Sequence, residues 1–174
     1  MSIDSIDFRN LSLRDALDLA ILIEEEARDR YEELASQMEL HHTPAAAAFF
    51  HVMIGNEEKH GQQLSARRIE LFGDAPRTVS RAMLWDIEAP EYDEVSAFMS
   101  RREALKVALR AEQKAQAFFT AALPQLRDAE ASRLFEELRE EEVRHQQMVQ
   151  AELDRLPPDQ PGAASDFEDD PVAQ

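Results

Sequence analysis

The chain has no cysteine among its 174 residues. That removes disulfides, thiolate nucleophiles, cysteinyl zinc sites, iron–sulfur clusters and rubredoxin-type iron sites together, so any metal must be held by Asp, Glu and His. Glycine is scarce, at four residues, and aromatic residues make up 7%. Hairpins and barrel corners need glycine where long helices do not, so an all-β architecture is disfavoured. Basic residues are outnumbered, 19 against 36 acidic, for a net charge of −17. A surface of that sign neither displaces counterions from nucleic acid nor docks on anionic lipid, so no nucleic-acid partner is expected. No apolar run approaches a membrane span, and Met1-Ser2-Ile3-Asp4 is not the basic start of a secretory signal. The expected location is the cytoplasm.

What is present is helical periodicity. Ser12-Leu13-Arg14-Asp15 resembles a capping box and opens a first helix running to about Leu40. His41-His42 falls in the break that follows and reads as a polar turn or a weak metal site. Thr43-Pro44 reads as an N-cap with proline at the first helical position, and the second helix continues to Phe72, where Gly73 stops it. Residues 73–99 hold Pro76, Trp85 and Pro90 without a sustained period. A connection of that length suggests a crossover along the side of a bundle, with Trp85 anchoring it and a short helical piece near Asp93–Met99. Ser100-Arg101-Arg102-Glu103 is a second capping box, opening a third helix to about Leu123, where Pro124 kinks or ends it. The fourth helix runs from about Asp128 to Leu156, and Pro157-Pro158 terminates it. The expected fold class is all-α: an antiparallel four-helix bundle with a long crossover between helices 2 and 3. It occupies residues 1–156, and residues 157–174 form an acidic disordered tail.

The apolar stripe of each helix, read at three-and-four spacing, carries the chemistry. In the first helix it is Ala16, Ala20, Ile23/Glu24, Ala27, Tyr31, Leu34 and Met38; in the second, Ala46, Phe49/Phe50, Met53, Glu57, His60, Leu64 and Leu71. The third gives Leu105, Ala108, Glu112, Ala115, Phe119 and Ala122, and the fourth Phe135, Leu138, Glu142, His145 and Val149. Every helix thus places an ionisable group on its buried stripe near mid-length: a lone Glu in two, Glu-x-x-His in the other two. The halves match, Glu24 preceding Glu57 by 33 residues and Glu112 preceding Glu142 by 30.

Burying four carboxylates and two imidazoles without compensation costs several kcal/mol per ion. The chain has no spare buried cations in this reading, since Arg110 and Lys114 face away from the stripe. Two divalent metals would balance four Glu charges, with His as neutral ligands, and hard carboxylates mixed with imidazole suit iron or manganese. One Glu and one Glu-x-x-His per half is the inward-projecting pattern of di-iron carboxylate bundles.

Glu24-x-x-Ala27-Arg28-x-Arg30-Tyr31 with Asn56-Glu57-x-x-His60, then Ala111-Glu112-x-x-Ala115 with Glu140-Glu141-Glu142-x-x-His145, resembles the two halves of the di-iron domain of rubrerythrins, in the ferritin-like superfamily. The resemblance covers about residues 12–155. It implies two iron ions per subunit on Glu24, Glu57, His60, Glu112, Glu142 and His145, with Glu57 and Glu142 bridging. It also implies a homodimer acting on hydrogen peroxide or dioxygen, with an external electron donor. Three departures stand out. No cysteines are present to build a rubredoxin relay; Ala115 occupies the position of an extra glutamate that rubrerythrins carry one turn after the third-helix ligand; and no fifth helix suggests a ferritin cage.

Smaller candidates surround this set. Tyr31 reads as a hydrogen-bond donor near the ligands, a radical relay or a plain core tyrosine. Asn56 could orient a ligand or stand in solvent. Glu141 is exposed in this phasing, and a slip of the phase would bring it to the site as an extra carboxylate. His51 reads as structural. The phenylalanine pairs Phe49-Phe50 and Phe118-Phe119 pack the core and keep the site dry.

The leading functional expectation is an oxidoreductase that couples Fe(II) oxidation to reduction of peroxide or dioxygen. A second is a ferroxidase that stores iron or passes it to a partner, which the acidic surface and Ala115 favour. A third, a non-catalytic helical interaction module, predicts no metal binding.

Overall fold

The computed structural model describes residues 6–40, 43–79 and 100–157. His41-His42, Trp85, the expected helical piece near Asp93–Met99 and the tail beyond Pro157 lie outside the described residues. Four helices carry the fold: α1 (Leu13–Leu40), α2 (Pro44–Phe72), α3 (Arg101–Ala122) and α4 (Ala129–Asp154). Single 3₁₀ turns at Phe8–Asn10 and Leu123–Gln125 precede α1 and follow α3, and no strand occurs among the described residues.

The helix ends fall where local chemistry puts them. Ser12 and Asp15 exchange hydrogen bonds, the Ser12 amide donating to Asp15 Oδ2 and the Asp15 amide to Ser12 Oγ, each at 3.2 Å. Ser100 and Glu103 form the same reciprocal pair at the start of α3, and Asp128 caps α4 through the amides of Glu130 and Ala131. At α2, Pro44 occupies the first turn, but the Thr43 hydroxyl turns back to donate to the Met38 carbonyl at 2.8 Å instead of capping the helix. Gly73 ends α2 at φ 60°, a conformation that disfavours side chains, and its amide returns to the Ile69 carbonyl.

Two apolar clusters define the bundle. One joins Ala16–Ile23 of α1 with Leu64 of α2, Phe118 and Phe119 of α3, and Leu134, Phe135 and Leu138 of α4. The other joins Tyr31, Leu34 and Met38 with Phe50 and Met53, Leu105 and Ala108, and Val149 and Leu153. The first cluster therefore collects the N-terminal halves of α1 and α4 with the C-terminal halves of α2 and α3; the second collects the opposite ends. So α1 is antiparallel to α2, α3 is antiparallel to α4, and α2 and α3 run parallel, the topology that requires a crossover between the pairs.

Two packing expectations need correction. Leu71 is 51% exposed, because the last turn of α2 runs past the end of the apolar stripe. The chain also does contain buried cations, Arg30 and Arg68. Residues 16–24 are buried without interruption, on the outer face of α1 as well as the inner. On that outer face Arg68 pairs with Asp18, and Asp18 also accepts from the Thr78 amide at 3.2 Å. Arg68 further donates to the Ala75 carbonyl at 2.7 Å, so one ion pair ties the chain after α2 down onto α1. No helix among the described residues is long and apolar enough to cross a membrane.

Candidate metal centre

Between the two apolar clusters lies a polar layer. Glu24 comes from α1, Glu57 and His60 from α2, Glu112 from α3, and Glu142 and His145 from α4, each near the middle of its helix. The four glutamates and His145 are only 3–6% exposed, and His60 is half-buried. The apolar stripe explains why: each glutamate stands in phase with apolar neighbours, so its side chain points into the bundle.

The geometry brings the two halves together. His145 Nδ1 lies 3.3 Å from Glu57 Oε1 and 3.2 Å from Glu112 Oε2. The His60 and His145 rings stack, centroids 5.4 Å apart and planes 11° from parallel. Three sets, Glu57–His60–His145, Glu24–His60–Glu141 and Glu112–Glu142–His145, each present ligand atoms within 4.8 Å of one another. Tyr31 reaches the layer from the second cluster and donates its hydroxyl proton to Glu112 Oε1. Its ring belongs to the second apolar cluster while its hydroxyl donates into the layer.

The Asn56 amide reaches Met148 Sδ at 4.0 Å in an exposed contact. One smaller expectation changes. Glu141 is not fully outside: it is half-buried, with Oε2 3.9 Å from His60 Nδ1. The run Glu140-Glu141-Glu142 offered three consecutive carboxylates, and a stripe read at whole-residue resolution assigns only one of them inward. Helix α4 places Glu142 in the centre and Glu141 at its flank, toward α2. The Asp18–Arg68 pair also escaped the sequence reading, since both residues lie off the apolar stripe and pair with one another across two helices.

The electrostatics mark the layer as unsettled by protein groups alone. Burial pushes the Glu24 carboxyl up to about 7, although a hydrogen bond with Glu57 and the nearby His145 pull it back. Burial also holds the His60 imidazole below its ordinary value, against the pull of the Glu141 carboxylate. At His145 burial acts downward too, but the hydrogen bond with Glu112 and the surrounding carboxylates outweigh it and its pKa is raised. Among the described residues, neither Glu24 Oε2 nor His60 Nδ1 has a hydrogen-bond partner, though both atoms are buried and stand 3.8 Å apart. Orphaned buried donor atoms are costly unless something else satisfies them. The mixed carboxylate–imidazole set, with atoms poised but unbonded, fits a pair of divalent first-row metals.

Two openings reach this layer. A groove of about 420 Å³ between α1 and α2 touches Glu24 and Glu57, with Ile21 and Ile69 on its walls. A smaller pocket of about 170 Å³ between α2 and α4 touches His60 and Glu141.

The family model described as rubrerythrin matches residues 15–153, which includes all six layer residues. The chain belongs to the rubrerythrin family. A solved structure of an uncharacterized conserved protein from Magnetospirillum magnetotacticum MS-1 is similar over 86% of this chain and 98% of that one, at 27% identity and a TM-score of 0.69. A hypothetical protein from Pyrococcus furiosus shares the fold over 88% of this chain and 94% of its own, with 20% identity and a TM-score of 0.57. A search of curated proteins gives no match. As a rubrerythrin-family bundle without cysteine, the chain carries the helical domain with no thiolate iron relay.

Proposed function

We propose that the layer holds two iron ions and that the protein oxidises Fe(II) with hydrogen peroxide or dioxygen. Glu24, Glu57, His60, Glu112, Glu142 and His145 would hold the ions in this reading. Manganese is the alternative metal for the same donors. The observation that carries the proposal is the isolated layer itself: four glutamates and two histidines between two apolar clusters, with buried donor atoms on Glu24 and His60 left without hydrogen bonds.

When bound, an iron pair supplies two electrons, one from each ion, which with two protons reduce one peroxide to two waters. The chain's own groups set the conditions for that chemistry. The phenylalanines of the first cluster exclude bulk water from one side, Phe119 packing edge-on to Phe135 at 5.1 Å, and Tyr31 and Phe50 close the other. The groove between α1 and α2 is wide enough for peroxide or dioxygen and leads to Glu24. Burial raises the Glu24 carboxyl to about 7 in the metal-free layer, so a metal bound there would displace a proton from it. Tyr31 fixes one oxygen of Glu112 and leaves the other facing His145. An external reductant returns the electrons, and a homodimer is the assembly carried over from the family.

A second reading has one observation in its favour. Ala115 is 1% exposed and apolar at the position where rubrerythrins carry an additional glutamate, which favours iron handling over peroxidase turnover. Anaerobic titration of the metal-free protein with Fe(II), followed by peroxide or air, tests both. Saturation near two irons per chain and a near-ultraviolet band on oxidation support the di-iron reading. Catalytic peroxide consumption with a reductant then selects the peroxidase, and accumulation beyond two irons selects storage. Absence of Fe(II) binding overturns both and leaves a helical scaffold.

A further inference from the structure

We propose that Glu141 is a seventh metal ligand, which with Glu24 and His60 makes the α2/α4 side of the centre a solvent-facing cation position. The proposal rests on the di-metal reading above and adds to it a residue outside the matched ligand pattern. The two oxygens of Glu141 have different surroundings: Oε1 lies 3.3 Å from Arg144 on the surface of α4, while Oε2 lies 3.9 Å from His60 Nδ1. From the other side, Glu24 Oε2 lies 3.8 Å from the same nitrogen. These separations are too long for hydrogen bonds. They fit donors that share one ion, because ligand atoms at about 2.1 Å from a first-row divalent metal stand about 3–4 Å from one another.

The second observation is Glu24 itself. Its side chain is almost fully buried, and Oε2 lacks a hydrogen-bond partner among the described residues while belonging to the set that includes His60 and Glu141. A carboxylate oxygen in that position calls for a cation. The pocket of about 170 Å³ lined by His60 and Glu141 opens on this set from outside, and the ion pair of Arg67 with Glu137, 3.6 Å apart, stands in its lining. The opposite set, Glu112–Glu142–His145, is buried at all three residues. The two positions are therefore unequal: one closed, one reached through the α2/α4 seam and finished by a carboxylate anchored on Arg144.

The test is an anaerobic Co(II) titration of the metal-free full-length protein, followed by visible absorbance, for wild type, Glu141→Gln, Glu142→Gln and the exposed neighbour Glu140→Gln. The expected result is two ions per chain in wild type and in Glu140→Gln. Glu141→Gln should weaken one of the two ions about tenfold or more and leave the other unchanged, the minimum expected of losing a carboxylate beside a metal. A Glu141→Gln isotherm superimposable on wild type, while Glu142→Gln loses binding, overturns this proposal and leaves the six-ligand centre standing. Failure of wild type itself to bind Co(II) or Fe(II) overturns the centre and this proposal together. Because Glu141 is half-exposed and the change is isosteric, circular dichroism should show an unaltered helical fold.

Discussion

Asp18 and Glu24 are both buried carboxylates on α1, six residues apart, and they meet opposite fates. Asp18 faces Arg68, accepts the Thr78 amide, and sits in a network whose guanidinium is also tied to backbone carbonyls. Its charge is cancelled and its lone pairs are used. Glu24 faces Glu57, Glu112 and Glu141, with His60 and His145 as the only groups near it that can carry positive charge, and one of its oxygens has no hydrogen-bond partner among the described residues. Burial alone does not separate a structural carboxylate from a functional one. What separates them is whether the protein supplies the counter-charge. The Asp18 network is complete as it stands and holds the chain after α2 against α1, whereas the Glu24 layer crowds several carboxylates around two imidazoles, the imbalance that the proposed metals would offset.

The sharpest way to break this comparison is to add metal. Loading two ions at about a hundredfold excess over their dissociation constants stabilises the folded state by about 5 kcal/mol. For a chain of this size that raises the melting temperature by about 10 °C or more. Calorimetry with and without Fe(II) or Mn(II) measures it. The same addition to Glu142→Ala should give no shift. An Asp18→Ala variant should start lower yet gain as much from metal as wild type, because its defect lies outside the layer. Equal gains in wild type and Glu142→Ala would show that the ions bind elsewhere.

Removing Asp18 is the next largest effect. Asp18→Ala leaves the Arg68 guanidinium beside a vacated buried position and frees the Thr78 amide. The expected loss is about 5 °C or more in melting temperature, with metal stoichiometry unchanged. Asp18→Ala combined with Arg68→Met should recover part of that loss, since an apolar pair avoids the orphaned charge. A double variant no better than the single would mean that the network acts through the backbone of residues 75–78 rather than through charge.

Glu24→Gln tests the opposite sign. In the metal-free protein the Glu24 carboxyl is held near 7 in the folded state against an ordinary value of 4.5, so the folded state binds a proton the unfolded state has released. Stability from this group is therefore present below pH 4.5 and lost as pH rises through 7, at a cost approaching about 3 kcal/mol. Metal-free Glu24→Gln should match wild type near pH 4.5 and become the more stable protein above pH 7, while binding metal more weakly. Denaturant unfolding across that range measures the difference. A difference that does not grow with pH would show that Glu24 is already paired.

Much of this was legible in the sequence, and the gaps have physical causes. The helix limits followed from Ser12, Pro44, Gly73, Ser100 and Asp128, residues whose side chains or backbone preferences act within one turn. The layer followed from glutamates lying in phase with apolar neighbours, a signal that local periodicity carries. Asp18–Arg68 was not legible, because it depends on two residues 50 positions apart that both lie off the stripe. The run Ala16-Leu17-Asp18-Leu19-Ala20-Ile21-Leu22-Ile23, apolar on nearly every side, signals that the outer face of α1 is covered but not by which residues. Glu141 was half-legible: the phase of α4 placed it beside the stripe, but how far a flanking side chain leans toward a neighbouring helix is set by α2, not by α4. Thr43 sat at the expected cap, yet its hydroxyl found the Met38 carbonyl first. Contacts inside one helical turn are readable from sequence, while those that cross the bundle need the fold.

The smallest expected effect belongs to Tyr31, and it bears on how the layer is held rather than whether it exists. The Tyr31 hydroxyl donates to Glu112 Oε1, and Glu112 Oε2 faces His145 Nδ1 at 3.2 Å. The ring is 1% exposed and stacks on Phe50 at 6.0 Å, so Tyr31→Phe keeps the packing and removes only the donor. A buried neutral hydrogen bond is worth about 1 kcal/mol, and more to a charged acceptor, so the fold survives with a small loss of stability. Its larger consequence is orientation: a carboxylate relieved of one partner rotates more freely, and affinity at the Glu112 side should fall about tenfold. The ion assigned above to Glu24, His60 and Glu141 should be unaffected. A Co(II) isotherm of Tyr31→Phe that weakens one ion, paired with a Glu141→Gln isotherm that weakens the other, would resolve the two positions within one layer. If both variants weaken the same ion, the layer binds its metals as one inseparable unit, and the distinction between a closed and an open side fails.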